Sequence, residues 1–444
     1  MAYRLRILSP SEAQATILRR RGLEDMDIPP AMAARLRDVF GEPLTPAQAV
    51  ERIIAAVRRE GDAAVRRFSQ AFDGIAVAQL ELSHDEVQAA YARVPAPVVE
   101  AMRIAAERVE RYHRQQVRRS WLDFQSGLGQ IVRPLERVGL YAPGGRAAYP
   151  SSVIMSAVPA RVAGVDEIVL CTPPQRDGQP HPAIVVAADI AGVRRIFRIG
   201  GAQAIAALAH GTESVPPVDK ILGPGNLFVV LAKRAVYGQT GIDQLPGPTE
   251  TLIIADESAD PAEVACDMLA QAEHDPMASA IALVTSHRLA EQVRQALEEQ
   301  LAPLERREIA AQALEANGGI VVVESLDQAL ELANAYAPEH LCLLVRDPWA
   351  LVGRVRHAGG VFLGSHSPEV MGDYVAGPSH IMPTGGTARF SSPLSVDDFI
   401  KTISVVALRP EDMHRYGPAA AELARAEGLT AHAAAVERRL RRGG

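Results

Sequence analysis

Glu339 and His340 are adjacent, set between a helical run over 326–337 and the apolar run LCLLV. At an irregular junction a carboxylate and an imidazole can reach one space, where they would serve as general base and water activator. Asp267, Gln271 and His274 recur at i, i+4 and i+7 of a helix expected over 261–274, one stripe of one face, with Val264, Met268 and Leu269 turned toward a core. Imidazole nitrogen with amide or carboxylate oxygen suits zinc or another borderline ion, so the stripe is a candidate half-site; a solvated face is the plainer reading. Met371-Gly-Asp373-Tyr374 lies in a Gly/Pro-rich stretch running to Gly386, a loop long enough to be functional, although Asp373 would equally serve an Asx turn. Toward the C-terminus Glu427 precedes a helix break at Gly428. Thr430 reads as an N-cap that puts His432 in a first helical turn, where the dipole disfavours imidazolium and leaves a neutral, metal-competent ring.

Three further turns carry glycine: Tyr141-Ala-Pro-Gly-Gly145, Ile199-Gly-Gly-Ala-Gln203 and Gly223-Pro-Gly-Asn226. Glycine lets backbone approach a ligand, and free N–H groups at a following helix start favour phosphate, so a nucleotide could lie across them. The full GxGxxG fingerprint is absent, and tight turns after parallel strands explain such glycines equally well.

The elements that must hold these residues follow from periodicity. Apolar residues over 11–119 recur at helical spacing, as in Thr45-Pro46 followed by AQAVERIIAAVRRE and a stopping Gly61. After Trp121, short β-branched runs alternate with helical ones, and a second such series begins at Thr251 with TLIIAD, AIALVTS, GIVVVES and LCLLV. That alternation predicts two α/β units in tandem with parallel sheets, divided at the Gly/Pro cluster 241–248. The helical tail from about 410 is too short to bury a core alone and must dock on something. A net charge of −7 with interspersed signs argues against a nucleic-acid partner. Three widely spaced cysteines build neither a disulfide framework nor a zinc knuckle. No window approaches a membrane span, and MAYRLRILSP lacks a signal-peptide core, so a cytoplasmic protein is expected. Cys342, two residues after His340, falls in LCLLV, where a buried structural thiol is the commoner case than a nucleophilic one.

Taken together and in order, VGLYAPGGRAAYPSSVIMSAVPARVAGV, GGAQAIAALAHGT, DKILGPGN, GIDQLPGPTE, MLAQAEHD, YAPEHL, MGDYVAGPSH, MPTGGTARF and LTAH resemble the histidinol dehydrogenase family over nearly the entire chain. The resemblance implies two tandem Rossmann-like α/β/α domains, a helical N-terminal segment, and a helical C-terminal tail exchanged in a homodimer. Its expected bounds are an arm at 1–30, a substrate and metal domain at 31–140 with 249–394, an NAD domain at 141–248 and a dimerisation tail at 395–444. It implies oxidation of L-histidinol to L-histidine through L-histidinal with two NAD. Zinc would be held by Gln271, His274, Asp373 and His432, with the substrate's amino and imidazole nitrogens completing an octahedron. Glu427 and His432 would be supplied by the partner subunit. Tyr141, Gln203 and Asn226 match NAD-contacting positions, Glu339 and His340 the acid–base pair. Substrate would meet Thr249, Gln271, His274, His340, Asp373, Glu427 and His432. Two departures stand out: Thr249 where serine is common, and Ser379 where asparagine is frequent. The rival readings are a related dehydrogenase of another amino alcohol and a non-catalytic metabolite binder.

Overall fold

The computed structural model describes residues 5–20, 28–144 and 148–441. Gly145 of the first glycine turn and parts of the expected 1–30 arm lie outside them. Among the described residues the strands, in chain order, are β1 (Ile7–Leu8), β2 (Trp121–Asp123), β3 (Leu128–Pro134), β4 (Arg137–Tyr141), β5 (Glu167–Cys171), β6 (Arg195–Phe197), β7 (Lys220–Leu222), β8 (Gly241–Ile242), β9 (Glu250–Ala255), β10 (Ser279–Val284), β11 (Gly319–Val322), β12 (His340–Leu344), β13 (Gly360–Leu363) and β14 (Ile400–Val406).

The chain divides into two compact units, Met1–Gln116 with Leu135–Phe399, and Val117–Pro134 with Ile400–Gly444. The first holds two parallel sheets. One runs β6-β5-β4-β7-β8, the other β1-β11-β10-β9-β12-β13. Counted from the first strand of each series, both follow the order 3-2-1-4-5, the doubly wound arrangement, and the second adds β1 at its edge. Their strands are continuous apolar runs because both faces are covered. In β5, Ile168 and Leu170 face helices Ala96–His113, Pro150–Ala163 and Pro182–Ala191, while Val169 and Cys171 face Pro46–Glu60, Asp62–Asp73, Gly201–His210 and Leu227–Val236. Each fully buried Leu or Ile in these layers stabilises by about 2 kcal/mol.

Local signals set the helices. Thr45 and Gln48 form a capping box, Pro46 occupies the first turn, and Gly61 ends the helix that buries Val50, Ile53 and Val57 on one stripe. The helical residues 46–113 pack on the first sheet, whereas the expected bounds grouped 31–140 with the second.

The second unit is an antiparallel sheet, β14-β3-β2, with helices Pro410–Ala426 and Thr430–Leu440 packed together where Gly417 meets Val436 and Leu440. The sheet was not expected. Its strands come from distant segments and are largely exposed, so neither period nor burial marked them. Thr430 is the first helical residue rather than the cap; Leu429 holds the cap position and offers no side-chain bond.

Candidate active site

At the first sheet, the carboxyl ends of β4 and β7 meet where strand order reverses, the place at which such folds bind ligands. Tyr141 ties the turns there together. Its phenol accepts the Gly201 N–H at 3.1 Å, at the start of helix Gly201–His210. Its carbonyl lies so close to Gly223 (φ +115°) that a Cβ on that residue would stand 2.2 Å away, so only glycine fits. Burial pushes the Tyr141 hydroxyl well above its usual range and keeps it neutral. Gln203 is 1% exposed and its Nε2 has no partner, an orphaned donor beside the Gly200–Gly201 turn. Asn226 caps helix Leu227–Val236, its Oδ1 accepting the N–H of Phe228 (3.0 Å) and of Val229 (3.2 Å).

The second sheet uses its opposite end. His340 opens β12 and lies in register with Thr251 of β9 and Gly360 of β13. Ala337, at φ 54°, ends helix Leu326–Tyr336 in the left-handed region and turns the chain into Glu339. Glu339 Oε2 accepts the Thr249 hydroxyl (2.6 Å) and the Glu250 N–H (2.9 Å). Burial pushes Glu339 up to about 7, outweighing the pull of His340 and of these two bonds.

His340 is 4% exposed, and its Nδ1 lies 3.0 Å from the Glu250 carbonyl. A carbonyl only accepts, so Nδ1 carries the proton. In the neutral ring Nε2 is therefore the lone-pair nitrogen; it has no hydrogen-bond partner and stands 3.9 Å from Asp373 Oδ1. Burial favours the neutral ring, but Glu339, Glu369 and Asp373 together outweigh it and raise His340 to about 9.

The Thr249 hydroxyl stands 2.6 Å from both Glu339 and the Gln271 carboxamide. Gln271 sets its amide nitrogen toward Glu369 (3.0 Å) and its oxygen toward the Glu250 N–H (2.7 Å), the orientation that gives each atom a complementary partner. The helix bearing it ends at Ala272, so His274 lies just beyond, where burial lowers its affinity for a proton and Asp373 opposes that. Asp267 and Gln271 are buried, at 8% and 2% exposure, so the stripe is not a solvated face. Asp373 sits on a short helix, Glu369–Tyr374, where an open loop was expected. Its carbonyl faces His380 Nδ1 at 2.8 Å, and His380 Nε2 meets Ser152 Oγ at 3.0 Å, which links the helix after β4 to this site.

The fold thus gathers Thr249, Gln271, His274, Glu339, His340 and Asp373 at one end of the second sheet, and Tyr141, Gln203 and Asn226 at the carboxyl end of the first. Glu427 and His432 belong to the second unit, both exposed, the former capping one helix and the latter in the first turn of the next. Glu369 was missed. It is 1% exposed, bonded to Thr251 Oγ1 at 2.5 Å and pushed up to about 7 by burial. Its place four residues before Asp373, one helical turn, was the available signal. Ser379 donates to the Met155 carbonyl (3.1 Å) of helix Pro150–Ala163 and accepts the Ile381 N–H (3.2 Å), so it ties the loop to that helix. No group of three or more His, Cys, Asp or Glu able to hold a metal occurs among the described residues; the Asp373 carboxylate does act on the His274 ring.

A doubly wound parallel sheet in one half and a buried carboxylate–imidazole pair in the other are features of an α/β enzyme. Residues 43–440 match the family model described as Histidinol dehydrogenase. The chain is 55% identical over 441 residues to the histidinol dehydrogenase of Deinococcus radiodurans, covering 98% of this chain and 100% of that one. With that of Moorella thermoacetica it shares 54% over 395 residues, 88% and 93% of the two chains. The crystal structure of histidinol dehydrogenase from Elizabethkingia anophelis superposes with a TM-score of 0.90 at 34% identity, over 99% of this chain and 98% of that one. The chain belongs to the histidinol dehydrogenase family, an oxidoreductase family of histidine biosynthesis that uses NAD.

Proposed function

We propose that this chain oxidises L-histidinol to L-histidine in two NAD-dependent steps through L-histidinal, with zinc and as a homodimer. One observation carries the reading: His340 Nε2 is buried, without a hydrogen-bond partner and 3.9 Å from Asp373 Oδ1, with Glu339 fixed beside it by Thr249 and Glu250. In the first step the neutral form of His340, which rising pH populates, takes the hydroxyl proton on Nε2 as hydride leaves the same carbon for NAD, giving the aldehyde. In the second, Glu339 takes a proton from water as its oxygen adds to the aldehyde carbon. The hydrate then loses a proton and a second hydride, to a second NAD, and becomes the carboxylate.

Tyr141, Gln203 and Asn226 would face NAD; the unpartnered Gln203 Nε2 supports a polar ligand there. The imidazole of His274, the carboxylate of Asp373 and the amide of Gln271 match zinc in donor type, with His432 as the fourth ligand. Bound there, zinc would act as a template that orients the substrate's nitrogens. Thr249, Glu427 and His340 would complete the substrate contacts; Thr249 keeps the hydroxyl that its serine counterpart offers. A second copy of the chain is supported by the apolar residues the second unit exposes, among them Trp121, Phe124, Val406 and Leu423. In that dimer Glu427 and His432 would come from the partner subunit. Among the described residues no helix is long and apolar enough to cross a membrane.

Purified protein given L-histidinol and NAD should release two NADH per substrate. One would favour a dehydrogenase of another amino alcohol, and none a binding protein. Chelation should stop turnover and zinc restore it. Because a protonated amine is a poor ligand, turnover should climb from neutral toward alkaline pH; a flat profile would count against a metal-anchored amine. Sedimentation should give twice the chain mass.

A further inference from the structure

Lys233 is fully buried, at 0% exposure, on the inner face of helix Leu227–Val236. A buried ammonium is costly unless paired and fully bonded. Here Nζ pairs with Asp243, whose side chain is 4% exposed, and donates to the Gly223 carbonyl at 3.0 Å. Asp243 in turn accepts the Gly223 N–H at 2.8 Å on Oδ2 and the Gln244 N–H at 2.6 Å on Oδ1. Both polar groups of one glycine are therefore gripped by the two halves of one ion pair. That glycine has φ +115° and lies against the Tyr141 carbonyl. Three residues later Asn226 starts the helix. Stability alone would be met as well by apolar side chains, since buried ion pairs are often no better than well-packed isosteres.

We infer that Lys233 and Asp243 are positioning residues for NAD: the pair holds the Gly223 peptide so that the turn from Gly223 to Asn226 is preformed before cofactor arrives. This rests on the reading that the turn meets NAD. A turn held in place loses little freedom on binding, so the effect falls on cofactor affinity rather than on the chemical step.

The test uses the full-length protein with three variants: Lys233→Met, the double variant Lys233→Met with Asp243→Asn, and Asn226→Ala. Lys233→Met should raise KM and Kd for NAD by about tenfold, the size of one charge-assisted hydrogen bond, and leave KM for L-histidinol unchanged. It should also lower the thermal midpoint, because Asp243 is left buried and unpaired. The double variant removes both charges and should recover the midpoint while NAD affinity stays weak. If affinity returns together with the midpoint, the pair is merely structural and the inference is overturned. If Asn226→Ala weakens NAD while both Lys233 variants bind it normally, the turn is a cofactor site and the positioning role alone fails. If Asn226→Ala and the Lys233 variants all bind NAD normally, the underlying reading of the turn falls and takes the inference with it.

Discussion

The first parallel sheet presents glycine turns and neutral side chains at the carboxyl ends of β4 and β7, whereas the second presents Thr251, Glu250 and His340 at the amino ends of β9 and β12. Strand order is the same in both, and so is the strand pair at which each site forms. On the function proposed above, what differs is the task. Cofactor recognition needs backbone close to a ligand, which turns after strands supply together with helix starts. Proton transfer needs titratable groups out of water, and the second sheet offers buried ones, Glu339 and His340, where β12 begins. Burial accordingly pushes Glu339 and Glu369 up to about 7, while in the first half Glu86 is held down to about 2.

The sharpest way to break this division is at His340. Replacing it with Asn should cut turnover by about 10²–10⁴-fold and leave NAD affinity, measured by direct titration, unchanged. A matching loss of NAD binding would show that the two regions are not separate. Gly223→Ala tests the other region. Its Cβ would meet the Tyr141 carbonyl at 2.2 Å, so it should cost about 2 kcal/mol or more in chemical denaturation and weaken NAD without moving KM for L-histidinol.

A smaller effect follows from Glu86. Burial opposes its charge, but the Ser83 N–H, Gln179 and the Arg198 guanidinium prevail and hold it at about 2. Its folded value lies below the unfolded one, so its contribution is complete above about pH 4.5 and is lost as pH falls toward about 2. The stability gap between the protein and Glu86→Gln, followed by denaturation against pH, should close across that window; a constant gap would refute the assignment. The smallest effect belongs to Cys342→Ala, with turnover expected within about twofold. Burial, with Glu369 and Asp267 close by, pushes this thiol well above its usual range, so it is a poor nucleophile. Complete loss of activity would bring back a thiol-linked route.

Much of this architecture was legible in the chain. The runs EIVLC, TLIIA and HLCLL are buried strands in the structure, and Thr45 and Gly61 bound the helix that they were read to bound. The antiparallel sheet was not legible, because β3 pairs with β14 across a long separation and neither strand alternates cleanly. Gln271 and Asp267 looked like a solvated stripe, since polarity at helical spacing gives no sign of what covers it. The Lys233–Asp243 pair left no trace, as a lysine in an apolar helix usually reaches solvent along its stem.

Residue types and short-range periodicity thus settled by themselves which segments are strands and helices, that they alternate as two α/β series, and which side chains have the chemistry for proton transfer and metal or nucleotide contact. Only the tertiary structure decided which end of each sheet gathers these side chains, which nitrogen of His340 keeps its proton in the neutral ring, and that burial raises Glu339 to about 7. The reason is that a hydrogen-bond partner and the exclusion of water are properties of neighbours in space. Glu250, whose carbonyl sets the His340 tautomer, is 90 residues away along the chain.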